Sequence, residues 1–332
     1  MTRFPMSFRF TRRLLLSAAI ACAALPLAAN AQDIKLRFAD STTADAPRSR
    51  ALAEIFAAEV APDFAFEPYF GGTLYRQGTE IVAVQRRNLE MALMPPSDFA
   101  EQVPEFGILT AAYLVRDAEH MRRIFQSDVG DEFKAMARER MGVHILGPAY
   151  YGTRHLNVRG DRQINTPADM AGLRLRMPGG EAWQFLGESL GANPTAVAYA
   201  EVYTALQTGA IDAEDNPLPN NRIMKFYEVT DQIVLTGHNV GFGLLMINAA
   251  LFDSFTPEQQ EKLQAAADKA FEWSDAEYQR EEAELLTFFE GEGIRTHTPD
   301  VEAFRAYANE KYLNAPISSA WPKGMVDRIN AL

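Results

Sequence analysis

The chain has 332 residues, with 44 acidic against 32 basic side chains and a net charge of −12 at pH 7. This negative balance argues against nucleic acid and anionic lipid as partners, because both would repel such a surface. Cys22 is the only cysteine, which excludes an internal disulfide and a thiolate metal cluster. A chain of this length can bury large cores and usually forms two domains.

The amino end has the order of a secretory signal. Four arginines among the first 13 residues precede an apolar run at 14–25, and small residues follow at 29–31. The run is too short for a transmembrane anchor, so we expect cleavage after Ala31 and a periplasmic mature protein that begins at Gln32. The residues TRRLL at 11–15 resemble a twin-arginine signal, and this route and the Sec route both stay open.

Beyond the signal, short strand-like pieces alternate with helical pieces, which predicts an α/β fold. In the first half we expect strands at 35–39, 89–94 and 143–146, and helices at 47–60, 78–88, 118–126 and 130–140. In the second half we expect strands at 173–177, 195–198, 233–235 and 244–247, and helices at 166–172, 181–190, 201–208, 256–289 and 300–313.

No Pro- or Ser-rich linker divides the chain, so two domains would require the chain to cross between them more than once. Such crossings leave a cleft between two lobes. We predict a first lobe from residues 32–153 plus about 242–281, and a second from 154–241 plus about 282–332. The long helix that starts at Pro257 is expected to span both lobes.

Motifs of enzymes are mostly missing. The sequence has no G-x-S-x-G, His-Glu-x-x-His, Walker loop or G-x-G-x-x-G. The five histidines show no metal-ligand spacing, so we expect no metal and no cofactor. Acid pairs such as Glu214 with Asp215 and Glu281 with Glu282 are inevitable among 44 acids, and they are weak signals for acid/base catalysis.

Arg174 and Arg176 are more informative. In a strand they point to the same face, and a parallel sheet is usually covered on both faces. An edge strand with a solvated face would explain Arg174. Arg176 stands at the carboxyl end of the predicted strand, before the glycines at 179–180 and the next helix, which is where open α/β sheets bind ligands. A guanidinium there suits a carboxylate.

Five segments together resemble the solute-binding proteins of tripartite ATP-independent periplasmic (TRAP) transporters. They are YGTR at 151–154, TPADMAGLRLR at 166–176, AEVYTALQTG at 200–209, IDAEDNP at 211–217 and FYEV at 226–229. The likeness runs over essentially the whole chain after the signal. It implies a two-lobed periplasmic binding protein whose lobes close on an organic acid.

The resemblance also implies roles for single residues. Arg176 would clamp the ligand carboxylate, Arg154 and Asn216 would assist it, Tyr199 would pack on the ligand, and His238 would line the pocket. Three of these residues have a structural alternative as well: Arg154 could pair with an acid, Asn216 could cap a turn, and Tyr199 could be core.

The sequence departs from the family pattern at 213–215, where Ala-Glu-Asp replaces Gly-Gln-Glu, while Asn216 is kept. It also lacks the Glu-Trp pair of a metal-dependent branch, which again implies a metal-free site. A looser correspondence places Ser41 and Arg76 at distal ligand contacts, where Arg76 would suit a second acidic or hydroxyl-rich group.

The sequence thus predicts a monomeric receptor that captures a sugar acid, a dicarboxylate or an aromatic acid and docks on integral membrane permease subunits. One alternative is an exported enzyme that acts on acidic sugars or organic acids, which would need a poised acid/base pair in the cleft. Another is a receptor that reports the ligand to a sensor.

Overall fold

The computed structural model describes residues 1–2 and 34–332, so the predicted signal peptide lies outside the described residues. The described strands are β1 (Ile34–Ala39), β2 (Phe64–Tyr69), β3 (Met91–Met94), β4 (Val143–Val158), β5 (Arg174–Met177), β6 (Asn193–Ala196), β7 (Ala213–Pro217), β8 (Gln232–Asn248) and β9 (Arg295–His297).

The described α-helices alternate with these strands, which confirms the predicted α/β class. They are α1 (Pro47–Arg50), α2 (Ala57–Val60), α3 (Glu80–Gln85), α4 (Pro96–Ala100), α5 (Ala118–Phe125), α6 (Asp128–Met136), α7 (Glu181–Ser189), α8 (Val202–Thr208), α9 (Leu218–Ile223), α10 (Ala249–Asp253), α11 (Pro257–Gly291), α12 (Val301–Asn314) and α13 (Met325–Asn330). A π-helical stretch, Ala51–Phe56, joins α1 to α2, and another, Ala137–Met141, extends α6. Short 3-10 turns lie at Pro104–Thr110, Pro167–Met170, Tyr199–Glu201, Phe226–Glu228 and Pro316–Ala320.

One mixed sheet carries all nine described strands, in the order β2-β1-β3-β8-β4-β7-β5-β6 with β9 beside β8. Parallel strands form each flank, β1 with β2 and β3 on one side and β5 with β6 and β7 on the other. The antiparallel strands β4 and β8 run between these flanks and pair with both. They therefore tie together the two halves of the molecule.

The lengths of β4 and β8 differ from the sequence prediction. Residues 143–146 were expected as a short strand, and β4 instead has 16 residues. The two strands expected at 233–235 and 244–247 are both parts of β8, which has 17 residues. Register shifts at Gly147, Gly152 and Leu156 let the long pair bend without losing its pairing. The predicted strands were too short because glycines and polar residues interrupt the apolar pattern, although the backbone hydrogen bonds of the strand pair continue.

Helix α11 is the second link between the halves. It has 35 residues, which corresponds to about 50 Å. Thr256 and Gln259 form a capping box at its start. Phe271 in its first part packs in the core of β1 and the π-helical stretch Ala51–Phe56, while Phe289 near its end packs with Ile233 of β8. The predicted long helix across both halves is confirmed.

Strand β5 lies between β7 and β6, so it is not the edge strand that the sequence suggested for Arg174. The side chain of Arg174 is nevertheless 48% exposed, because it sits at the amino end of the strand and pairs with Asp212 (Nη2 to Oδ1, 2.5 Å). At the carboxyl end of the same strand, Arg176 is 1% exposed. The two arginines therefore have opposite environments.

The end of the chain returns to the first half. Arg328 of α13 pairs with Asp128 at the start of α6 (2.7 Å), and the backbone oxygen of Ile329 is hydrogen-bonded to Nε2 of His120 in α5 (2.8 Å). The predicted boundaries placed residues 282–332 in the second lobe. These contacts join the last residues to helices of the first predicted lobe, and the exact lobe boundaries stay a prediction.

Candidate ligand-binding site

A cavity of about 60 Å³ lies between the two halves of the sheet. The first half contributes Ser41 after β1, Asp98 after β3 and Gln77 before α3. The second half contributes residues at the carboxyl ends of β5 and β7 and on α7, namely Arg176, Asn216 and Trp183. Carboxyl ends of strands that meet at one place are the usual site of ligand binding in open α/β sheets.

The Arg176 guanidinium is the central polar group of this cavity. Its Nε donates to the backbone oxygen of Val197 (2.9 Å), while its Nη2 is buried and has no hydrogen-bond partner among the described residues. Burial lowers the pKa of Arg176 to about 10, against an opposing effect of Glu214. A buried cation with an open donor requires an anionic partner. A carboxylate fits this position.

Arg154, the second predicted arginine, also lines the cavity, but most of its donors are occupied. Its Nε and Nη2 donate to the two carboxylate oxygens of Asp215 at 2.6 and 2.9 Å. The Arg154 guanidinium carbon lies 4.7 Å from the centre of the Trp183 ring. The structural alternative considered for Arg154 is therefore present, and Asp215 holds this guanidinium in place at the cavity wall.

His238 does not line the cavity. It is fully buried behind Asp215, with its Nε2 hydrogen-bonded to Oδ2 of Asp215 (3.1 Å) and its Nδ1 to Oγ1 of Thr236 (2.7 Å). Although burial opposes ionisation, Arg154 and His238 together hold the pKa of Asp215 well below its usual range. His238 thus positions the acid that positions Arg154.

Asn216 and Tyr199 both line the cavity, and their contacts with a ligand stay a prediction. The side chain of Asn216 donates to Glu214 and accepts from Asn220 (3.5 Å). Burial raises the pKa of Glu214 to about 7. The ring centre of Tyr199 is 5.9 Å from the Arg176 guanidinium carbon, and its buried hydroxyl has no partner among the described residues. Both residues can add contacts to a bound acid.

The first half supplies a buried ion pair that the sequence did not reveal. Arg48 donates to Asp40 (Nε to Oδ2, 2.8 Å; Nη2 to Oδ1, 3.3 Å) and to the hydroxyl of Tyr278 (3.2 Å). Both Arg48 and Asp40 line the cavity, and Arg48 also stacks over the Tyr151 ring at 3.9 Å. No motif marked Arg48, because its position within α1 follows only from the fold.

Of the two loosely assigned distal residues, Ser41 lines the cavity and Arg76 does not. The side chain of Arg76 is 71% exposed and bonds Glu201 at 3.4 Å. It lines an adjoining groove at the mouth of the cleft, and Gln77 and Asp98 line both this groove and the cavity. Arg76 is therefore placed outside the ligand cavity.

Three contacts cross the cleft near its mouth. Besides the Arg76–Glu201 pair, the backbone nitrogen of Tyr199 donates to Oε1 of Gln77 (2.8 Å). The carboxylate of Glu101, after α4, accepts from the backbone nitrogen of Glu181 (3.0 Å), the first residue of α7. This contact places an anion of one half at a helix amino end of the other half. The cleft is thus held closed by side chains of both halves.

Two further features concern the described residues only. They contain no group of three or more His, Cys, Asp or Glu residues arranged to hold a metal ion. No helix among them is both long and apolar enough to cross a membrane. The expected absence of a metal and a cofactor stays a prediction.

Comparisons with known proteins agree with this geometry. The model of "bacterial extracellular solute-binding protein, family 7" matches residues 38–317. The sialic acid-binding periplasmic protein SiaP of Vibrio cholerae is 33% identical over 61% of this chain and 63% of its own length. The 2,3-diketo-L-gulonate-binding periplasmic protein YiaO of Escherichia coli is 33% identical over 60% of each chain. The match thus covers less than two thirds of both relatives.

A solved structure extends the match to nearly the full length. It is a TRAP periplasmic solute-binding protein from Roseobacter denitrificans with bound 3-deoxy-D-manno-oct-2-ulosonic acid. It is 41% identical, covers 90% of this chain and 99% of its own, and superposes with a TM-score of 0.89. The predicted family resemblance and the two-lobed fold are confirmed, and the chain belongs to family 7 of the bacterial extracellular solute-binding proteins, the periplasmic receptors of TRAP transporters.

Proposed function

We propose that this protein binds an organic acid by its carboxylate in the periplasm and delivers it, as a monomer, to membrane permease subunits. The observation that carries the proposal is the buried Nη2 of Arg176, which has no partner among the described residues. Arg154 and Asn216 would assist at the same wall, and Tyr199 and Ser41 would complete the contact surface. His238 would act only through Asp215.

Sugar acids are the favoured ligands among the three classes expected from the sequence. The Roseobacter denitrificans relative holds 3-deoxy-D-manno-oct-2-ulosonic acid, and the other two relatives are named for sialic acid and 2,3-diketo-L-gulonate. All three are carboxylic acids that carry hydroxyl groups. Serine, glutamine, asparagine and tyrosine side chains around the cavity are suitable partners for such hydroxyls.

A thermal-shift screen against sugar acids, dicarboxylates and aromatic acids tests this function. A ligand at about 100 times its Kd adds about 2.7 kcal/mol to the free energy of unfolding. We expect such a shift with at least one sugar acid and recovery of the unchanged acid afterwards. Chemical conversion of the acid would instead support the exported-enzyme alternative, and stability unchanged by every acid would refute the proposal.

Export is tested separately. Residues 14–25 and the small residues at 29–31 predict a cleaved signal peptide, by the Sec or the twin-arginine route. We expect the periplasmic protein to begin at Gln32. Intact mass and amino-terminal sequencing check this, and retention of residues 14–25 in the mature protein would contradict it.

The Glu101 contact across the cleft leads to a prediction about closure. Glu101→Ala removes the cap of α7, and loss of a helix cap costs about 0.5–2 kcal/mol. Because the contact joins the two halves, this cost falls on the closed state. We expect a roughly 2- to 30-fold weaker affinity, mostly through faster dissociation of the ligand.

The control for this variant is Arg76→Ala. The Arg76–Glu201 pair also crosses the cleft, but both side chains are more than half exposed, and exposed pairs contribute little. Stopped-flow measurement of ligand dissociation compares the two variants. Equal dissociation rates for Glu101→Ala and the wild type would show that the cap does not hold the cleft closed.

A further inference from the structure

Asp98 is an acid of the cavity wall without a cationic partner. It lies in the first turn of α4, directly after β3, and it lines the cavity on the side of the first half. Its one side-chain hydrogen bond is with the hydroxyl of Ser97, at 3.4 Å, and no Lys or Arg of residues 34–332 forms an ion pair with it. An acidic side chain without a cationic partner would be unusual in a site that only attracts anions.

Except for Arg176, the other charges of the cavity are balanced within the protein. All three guanidinium nitrogens of Arg48 are bonded to Asp40 or Tyr278. Arg154 is neutralised by Asp215. Arg176 lies on the opposite half, and residues 34–332 provide no ion pair for it. The cavity therefore has one unpaired cation, which can bind one ligand carboxylate.

The geometry points to Asp98 as a specificity-determining residue that selects acids with one carboxylate and a hydroxyl-bearing distal end, and rejects acids with a second carboxylate there. This inference rests on the proposed function, because Arg176 must hold the first carboxylate. A carboxyl group can accept a hydrogen bond from a hydroxyl, and it can donate one when protonated. Asp98 can therefore hydrogen-bond the hydroxyl groups at the distal end of the ligand in either protonation state.

The surroundings of Asp98 oppose negative charge. Burial, reinforced by Glu80, raises the pKa of Asp98 to about 8. Glu80 is itself 1% exposed, its Oε2 has no partner among the described residues, and burial raises its pKa to about 7. The groove beside Asp98 also contains Glu101. A ligand carboxylate at this wall would meet the same desolvation and the same neighbouring acids.

Arg76 is a further cation that lines a groove together with two of these acids. It lines the groove that Asp98 and Glu101 also line, but its guanidinium bonds Glu201 and is largely exposed. A solvated arginine outside the cavity is a weak partner for a buried carboxylate. The loose assignment of Arg76 to a second acidic group is therefore not supported by its position.

Two matched ligand pairs test the inference by calorimetric titration at pH 7. D-Gluconate and D-glucarate differ only at the distal carbon, which is a hydroxymethyl group in gluconate and a carboxylate in glucarate. D-Galactonate and galactarate differ in the same way. 3-Deoxy-D-manno-oct-2-ulosonate is added as a further monoacid. We expect the monoacid of at least one pair to bind at least tenfold more tightly than its diacid.

Asp98→Asn removes the ionisable carboxyl group and keeps its shape. We expect it to reduce the monoacid-over-diacid ratio at least severalfold while it changes monoacid affinity little. Glu139→Gln, at an exposed acid outside the cavity, is the matched control and should leave the ratio unchanged. Equal affinity of the wild type for both members of each pair, or an unchanged ratio in Asp98→Asn, would overturn the inference.

These outcomes separate the inference from the proposed function. If acids bind and Arg176→Ala abolishes their binding, but diacids bind as well as monoacids, only the role of Asp98 is wrong. If neither the five acids nor any acid of the thermal-shift screen binds, or if Arg176→Ala leaves the affinity for a bound acid unchanged, the proposed function and the inference both fail.

Discussion

Arg176→Ala is expected to weaken binding of the organic acid by roughly thirtyfold to several thousandfold. The ligand carboxylate would be ionised and nearly dry when it reaches the open Nη2 of Arg176. Removing one partner of such a buried pair costs about 2–5 kcal/mol, since the other charge is left stranded. Each 1.4 kcal/mol corresponds to about a factor of ten in Kd.

Two further variants make this prediction specific. Arg176→Lys keeps the charge but loses the planar fork, so its affinity should fall between that of the wild type and that of Arg176→Ala. Arg174→Ala is the control, because Arg174 lies in the same strand but is engaged with Asp212 and half exposed. Calorimetric titration compares the three variants. A greater loss in Arg174→Ala than in Arg176→Ala would show that the anchor is misassigned.

The free energy of unfolding should respond in a different way. Without ligand, Arg176 is a buried cation with an open donor, and its pKa is lowered by that burial. Replacing it removes this desolvation cost, so the free energy of unfolding of Arg176→Ala should be close to or above that of the wild type. Circular dichroism and chemical denaturation check this. Loss of folding would mean that Arg176 supports the core instead of the ligand.

Alternation of apolar and basic residues was enough to predict the position of Arg176. A strand at 173–177 places it at the carboxyl end, and the structure has this strand at Arg174–Met177. The same pattern could not show that β5 is an interior strand, because the neighbours of a strand depend on distant parts of the chain. The exposure of Arg174 comes from its place at the strand end, which alternation does not distinguish from a sheet edge.

Strand β7 shows why the rest of the site was hidden. Its sequence, AEDNP, is polar, yet all five residues are buried. Burial is possible because each polar side chain has a partner. Glu214 bonds Asn157 of β4, Asp215 bonds His238 of β8, and Asn216 bonds Glu214. Apolar periodicity cannot detect a strand whose burial depends on polar partners. Only the family resemblance marked this segment before the fold was known.

The second large effect is expected at Asp215, which forms a buried ion pair with Arg154. Both side chains are less than 10% exposed, and two hydrogen bonds join them. Asp215→Ala leaves the Arg154 charge buried without its partner. Breaking such a pair costs about 3–5 kcal/mol of unfolding free energy. Denaturation with urea measures this loss.

Asp212→Ala is the matched control, because Asp212 precedes β7 and pairs with Arg174 at the surface. Exposed ion pairs contribute at most about 1 kcal/mol, so this variant should remain close to the wild type. If both aspartate variants lose the same stability, burial of the Arg154–Asp215 pair does not determine its contribution.

The pH dependence of unfolding gives an independent measure of the same pair. Arg154 and His238 hold the pKa of Asp215 below its usual range against the effect of burial, whereas the unfolded chain titrates near the ordinary value of about 3.9. The stabilisation is therefore fully present above about pH 5 and is lost as the pH falls through and below 4. Asp215→Ala lacks this pH-dependent stabilisation, so its free energy of unfolding should fall less steeply than that of the wild type as the pH decreases from 5 to 3.

The double variant Arg154→Met with Asp215→Ala identifies the origin of the loss. If the cost of Asp215→Ala is that of a stranded guanidinium, removing Arg154 as well should restore part of the lost stability, since apolar replacements of buried ion pairs are often tolerated. Arg154→Met alone strands the carboxylate of Asp215, although His238 remains as a partner at 3.1 Å and should soften the effect. A double-mutant cycle gives the coupling energy. Additive losses would mean that the two charges stabilise the wall of the cavity independently, and that Asp215 does not act through Arg154.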